Sequence, residues 1–219
     1  MARTGAFEER ATEYDGWFDR HAPAWAAELE AIERLLPRFS RGVEVGVGSG
    51  RFALPLGVRF GIEPSPSMAR IARGRGIAVA GGVAEQLPLR GGCADLVLMV
   101  TAVSFFDDSL AAFREANRVL SDGGHIVIGM LDGESEPAGV WRARRSSSPF
   151  FRDACLRGAG EVLGDLADAG FGRLRTMQTL FEPDGDPERR PLVEEGHGRG
   201  FFAVARGVKR REWRMTPDG

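Results

Sequence analysis

The chain has 219 residues, 43% of them hydrophobic, which suffices for one domain with a sizeable core. A net charge of −2 argues against a nucleic-acid partner, and no run of about 18 apolar residues is present to span a membrane. The first residues are polar, and Cys93 and Cys155 fit neither a disulfide framework nor a metal site, so a cytoplasmic protein without a bound metal is expected.

Residues 7–36 carry a helical pattern, with Trp25, Leu29, Ile32, Leu35 and Leu36 on an apolar stripe. Pro23 is expected to divide the segment into two helices. Tyr14 and Trp17 either pack on the domain or belong to a helical lid that closes over a ligand.

Val43–Gly50 reads V-E-V-G-V-G-S-G. Branched apolar residues followed by alternating glycines predict a strand, Gly42–Val47, that ends in a tight turn and feeds a short helix. Glycine serves where a ligand must touch bare main chain, and open α/β sheets bind ligands at the carboxyl ends of their strands. The spacing of Gly46, Gly48 and Gly50 leaves Arg51 where a dinucleotide fingerprint wants its last glycine, and no Gly-Lys-Ser/Thr of a phosphate loop occurs.

A second strand, Val58–Glu63, ends on an acid, and Ser65 is placed to cap a helix that starts at Pro66. A carboxylate at that strand tip can accept hydrogen bonds from two neighbouring ribose hydroxyls. Ile77–Ala80 is a third strand and Cys93–Val100 a wholly apolar central one. The loop 101–108 follows it with Phe105 and Phe106, then a helix capped by Asp108 or Ser109, and strand five at His125–Leu131. Residues 132–151 read as a long irregular segment containing Trp141. A helix at Gly160–Ala169, a strand at Phe171–Phe181, a polar loop at 183–198 and a strand at Gly200–Arg206 complete the domain, residues 1–207; the last two strands are expected to pair antiparallel. Residues 208–219 form a charged tail.

Taken together, Glu44-Val45-Gly46-Val47-Gly48-Ser49-Gly50, Gly61-Ile62-Glu63-Pro64-Ser65 and Ala84-Glu85-Gln86-Leu87-Pro88-Leu89 carry a resemblance. Asp95-Leu96-Val97, residues 118–124 and Ala169-Gly170-Phe171 agree with it. The chain resembles the class I S-adenosylmethionine-dependent methyltransferases, especially the small "type 11" group. The resemblance implies a doubly wound, Rossmann-like three-layer α/β sandwich. Its mostly parallel seven-stranded sheet has the order 3-2-1-4-5-7-6, with strand 7 antiparallel.

It also implies roles. Gly46, Gly48, Ser49 and Gly50 would floor the site of S-adenosyl-L-methionine, and Glu44 would help hold its methionine amino end. Glu63 would bind the ribose, with Pro64 or Ser65 flanking the adenine and Ala84 and Glu85 at its edge. Thr101 and Ala102 would lie behind the sulfonium, and Tyr14 would reach the cofactor's carboxylate. The family's aspartate at position 83, which accepts from the adenine amino group, is Val83 here, so that bond is lost or replaced by backbone or Gln86.

Transfer of an activated methyl needs an in-line nucleophile about 3–3.5 Å away and little else. A small-molecule acceptor is expected among Trp17, Phe105, Phe106, Trp141 and the loop 182–199, with His197 the first candidate for a general base and Glu194 or Glu195 behind it. Two alternatives stay open: a nucleoside-binding domain without catalysis, and a nicotinamide-dependent oxidoreductase on a similar sheet.

Overall fold

The computed structural model describes residues 4–144, 148–182 and 192–210. Most of the expected tail and of the loop after strand six lies outside that range.

Strands β1 (Gly42–Val45), β2 (Phe60–Ile62), β3 (Ala78–Ala80), β4 (Ala94–Val100), β5 (Leu120–Leu131), β6 (Phe171–Thr179), β7 (Glu194–Glu195) and β8 (Phe202–Lys209) form one sheet. Its order is β3-β2-β1-β4-β5-β8-β6-β7. Neighbours from β3 to β5 pair parallel, whereas β8 is antiparallel to both β5 and β6. This is the expected order with one addition: Glu194 and Glu195 pair with Gln178 and Met177 as an eighth strand at the edge. Two adjacent acids carry no strand pattern, so the sequence offered no sign of it. The last strand also runs past its expected end, to Lys209, whose Nζ donates to the Leu120 carbonyl at 2.9 Å.

Alternation along the central strand builds the two cores. Val97 and Met99 of β4 face one side of the sheet, against α5 (Ser109–Val119) and α7 (Ala159–Asp168). Leu96, Leu98 and Val100 face the other, which is covered by the N-terminal helices and by α4 (Pro66–Gly74). The helix caps fall where the sequence placed them. Ser65 Oγ accepts from the Met68 N–H at 3.3 Å, and Asp108 accepts from the Ala111 N–H at 2.9 Å.

The N-terminal segment forms three helices rather than two: α1 (Gly5–Glu9), α2 (Ala11–Arg20) and α3 (Ala22–Glu33). Arg10 and His21 leave the helical region and break the run, while Pro23 sits in the first turn of α3, where its missing N–H costs nothing. The segment expected to be irregular contains α6 (Ala138–Arg144). Conversely, the short helix expected after the glycine turn is a series of turns, 51–57. Pro55 removes a backbone donor there, and Gly57 at φ 76° ends the run.

Gly50 belongs to packing. At φ 84° its absent Cβ would lie 2.4 Å from Ile77 Cδ1 and 3.6 Å from Ala72 Cβ. Gly50→Ala is therefore expected to destabilise the fold by about 1–3 kcal/mol, from backbone strain and overpacking together. Urea unfolding tests this, and an unchanged midpoint would contradict it.

Candidate active site

The site forms where β1 and β4 end. Gly46 and Val47 donate to the Ile62 carbonyl at 2.8 and 3.1 Å, which bends the chain out of β1. Gly46 (φ 73°) and Gly48 (φ 54°) then hold a conformation that suits glycine, and a Cβ on Gly46 would meet Ala102 at 2.7 Å. Across the turn, Glu63 binds the main chain with both oxygens. Oε2 accepts from the Gly48 N–H at 2.8 Å and Oε1 from the Ser65 N–H at 2.9 Å. Burial pushes its carboxyl up, the two N–H groups pull it down, and the charge of Glu8 adds to the rise.

A cavity of about 720 Å³, mouth included, opens over this turn. Gly46, Gly48, Glu63, Pro64, Val83 and Ala84 line one part of it, and Tyr14, Glu85, Thr101, Ala102, Phe105 and Phe106 another. Eleven of these twelve were expected at the site, Val83 being the departure noted in the sequence. Phe7 and Met68 also line it and were not expected. Phe7 contacts Tyr14 and Phe105 edge to face, at 5.1 and 5.0 Å between centroids. Thr101 sits at φ 54°, a strained conformation for a branched residue, at the end of β4.

Four of the residues expected to hold the cofactor lie outside the lining. Glu44 points to the sheet face opposite Val43 and Val45 and is 1% exposed. Burial, with the nearby Glu63 charge added, pushes its carboxyl well above the usual range, and the Ala53 N–H offsets this only in part. Its Oε2 has no hydrogen-bond partner among the described residues. Ser49 is buried and its carbonyl accepts from Arg75 at 2.6 Å. Gly50 packs on Ile77, and Ser65 is spent on Glu63 and on the cap of α4. Glu85 lines the cavity but its Oε1 is engaged by the N–H groups of Asp107 and Asp108 at 2.8 and 3.4 Å. Gln86 is exposed and does not line the cavity.

A second cavity, about 740 Å³ with its mouth, shares Phe7, Tyr14, Thr101 and Phe105 with the first. Trp17, Phe18, Phe150 and Phe201 are among its other walls, and Glu28 of α3 faces it. Trp17 stacks on His21 at 4.4 Å between centroids. Burial pushes the phenol of Tyr14 up to about 12, against a hydrogen bond with the Thr101 side chain. His197 is exposed and lines neither cavity, and Glu194 and Glu195 are engaged by Arg199 and Arg175 at 2.8 and 2.9 Å. Trp141 falls in α6, and its side chain lies outside what is described.

Helices α1 and α2 cover both cavities and are anchored on the residues around the glycine turn. Glu8 accepts from Ser65 Oγ at 2.6 Å and from the Ser67 N–H and Oγ at 3.0 and 2.7 Å. Asp15 accepts from Arg51 Nε at 2.9 Å and from Arg75 Nη2 at 2.8 Å, and Asp19 takes the other edge of Arg51 at 2.7 and 2.8 Å. Burial opposes ionisation of Asp15, but the two guanidinium groups outweigh it and hold the carboxyl well below the usual range. Arg51, noticed in the sequence only as a missing glycine, is thus the counterion of α2. The signal was present: Asp15 and Asp19 share a helix face at i, i+4.

Residues 43–128 match a family model described as a methyltransferase domain. Along almost its whole length the chain is similar to a solved S-adenosylmethionine-dependent methyltransferase of Thermotoga maritima, described as a possible histamine N-methyltransferase. The TM-score is 0.87 at 41% identity, covering 94% of this chain and 98% of that one. An uncharacterised protein of Methanocaldococcus jannaschii is 36% identical over 203 residues, 93% of this chain and 98% of that protein. The malonyl-[acyl-carrier protein] O-methyltransferase of Geobacter sulfurreducens is 31% identical over 239 residues, 94% of this chain and 84% of that enzyme.

Proposed function

Since the chain belongs to the S-adenosylmethionine-dependent methyltransferases, we propose that it methylates a small molecule held in the aromatic cavity beneath its N-terminal helices. Enzyme class and cofactor follow from membership, which sets the oxidoreductase alternative aside. The observation that carries the finer reading is the pair of cavities with four walls in common. Both are lined mainly by apolar and aromatic side chains with a few polar groups among them, the make-up usual for small-molecule sites.

The residues present fit the cofactor. A floor without side chains at Gly46 and Gly48 lies beside an acid, Glu63, whose two oxygens keep lone pairs free after accepting one N–H each. In this reading Glu63 takes the ribose hydroxyls, Pro64, Val83 and Ala84 flank the adenine, and Tyr14, Thr101 and Ala102 surround the reacting end. S-adenosylmethionine supplies a methyl already activated on sulfonium. The chain's own part is to orient the acceptor for in-line displacement, with Phe7, Tyr14 and Phe105 excluding water. At position 83 an adenine-amino bond worth about 0.5–1.5 kcal/mol is forgone. Ordinary thiols and the lack, among the described residues, of a helix able to cross a membrane support a cytoplasmic location.

One relative is described as a possible N-methyltransferase and another as an O-methyltransferase, so the accepting group has to be read from the cavity. Incubation with methyl-labelled S-adenosylmethionine and fractions of a cell extract tests the acceptor class. Label is expected in the small-molecule fraction. Label appearing instead in protein or RNA would overturn the reading.

A further inference from the structure

Glu28 is 4% exposed, yet it faces the second cavity and no described residue hydrogen-bonds its carboxyl. It sits where the helix wants an apolar residue: Trp25, Ile32 and Leu35 share its stripe at spacings of three, four and three. A buried carboxyl left without a partner lowers stability, so its presence on a core face calls for a reason beyond folding. The surrounding chemistry narrows that reason. Among the described lining residues no arginine, lysine or histidine faces the cavity, and Tyr14 is the only other ionisable group. The remaining walls are mainly aromatic, including Trp17, Phe18, Phe150 and Phe201.

Resting on the methyltransferase reading above, we infer that Glu28 is the acceptor-binding residue and that the acceptor carries a basic nitrogen, bound as a cation between this carboxylate and the aromatic walls. Ring faces attract cations, and one carboxylate supplies the countercharge. An anionic acceptor would find no positive group among the described walls to offset its charge. Burial alone pushes the Glu28 carboxyl up to about 8, so near neutral pH most of the free protein holds it protonated. A cation arriving within about 4–6 Å favours the charged form. Binding therefore expels the Glu28 proton to solvent.

Calorimetry with 2-phenylethylamine and its neutral analogue 2-phenylethanol, each added to protein saturated with S-adenosylhomocysteine, tests this. Wild type is expected to prefer the amine by about tenfold or more and to release a proton on binding it. In Glu28→Gln the preference and the proton release are both expected to vanish, while the alcohol still binds. Equal binding of amine and alcohol by wild type, discrimination that survives in Glu28→Gln, or no amine binding overturns the inference. Failure of wild type to bind S-adenosylhomocysteine would instead bring down the methyltransferase reading beneath it. Glu28→Leu adds an independent arm. Filling the site with an apolar side chain is expected to raise Tm while S-adenosylhomocysteine still binds. A lowered Tm would mark Glu28 as a structural residue and overturn the inference as well.

Discussion

Replacing Glu63 by alanine is expected to weaken S-adenosylhomocysteine binding by about tenfold or more. A carboxylate offers roughly four lone-pair positions, and in Glu63 one on each oxygen is taken by a backbone N–H, from Gly48 and from Ser65. Those two bonds fix the carboxylate and leave its other lone pairs to the ribose. A hydrogen bond to a charged group contributes about 1.5–3 kcal/mol and a tenfold change in affinity is about 1.4 kcal/mol, so losing even one such bond reaches the expected effect. Alanine also frees the Gly48 N–H, which loosens the cofactor's floor and acts in the same direction. Because burial raises the Glu63 carboxyl, it protonates on acidification before an exposed glutamate does. Wild-type affinity is therefore expected to fall as the solution becomes mildly acidic, and the alanine variant to lack that component. A folded alanine variant with wild-type affinity by calorimetry would contradict the ribose assignment.

Glu63 and the glycine turn could be read from the sequence because their chemistry is local. A strand that must end on bare main chain needs glycine at fixed positions, and an acid at the tip of the neighbouring strand is carried to its side by the pairing alone. The sheet order was legible through the family resemblance that several such local motifs carry together, not from the crossovers themselves. Glu28 was hidden because its meaning depends on what three other elements place opposite it. On the helix it reads as one more charge among Glu28, Glu30 and Glu33, and only strict attention to the 25-28-32-35 spacing separates it from its neighbours. Ser49 and Gly50 were over-read in the other direction. They belong to the motif, but one step along a tightly turning chain carries each away from the cavity and into packing. His197 was favoured because loops after strands return to the ligand face, yet a loop can return there and still present its histidine to solvent.

Asp15 carries the other large effect. Its carboxylate joins α2 to Arg51 and Arg75, and Arg75 in turn donates to the Ser49 carbonyl within the glycine turn. The relative exposures of Asp15, Arg51 and Arg75 side chains are 17%, 14% and 24%, so water screens this network only weakly. Removing the acid leaves two largely sheltered guanidinium groups, of which Arg51 keeps the exposed Asp19 as its counterion and a bond to the carbonyl of residue 15. Asp15→Ala is accordingly expected to cost about 2 kcal/mol, below the roughly 3–5 kcal/mol of a fully buried pair. The sign with pH follows from the depressed carboxyl. Its stabilisation is fully present above the unfolded aspartate pKa of about 3.9 and is lost as pH falls through the lower folded value. The gap in Tm between wild type and variant should then be wide at neutral pH and close in strong acid. If α1 and α2 act as a lid, the same substitution frees Phe7 and Tyr14, which wall both cavities. Amide exchange in residues 5–20 should speed up, and dissociation of S-adenosylhomocysteine with it. Faster exchange with unchanged dissociation would leave the helices as packing and sink the lid; a Tm gap that persists undiminished in acid would sink the ionic account of the clamp.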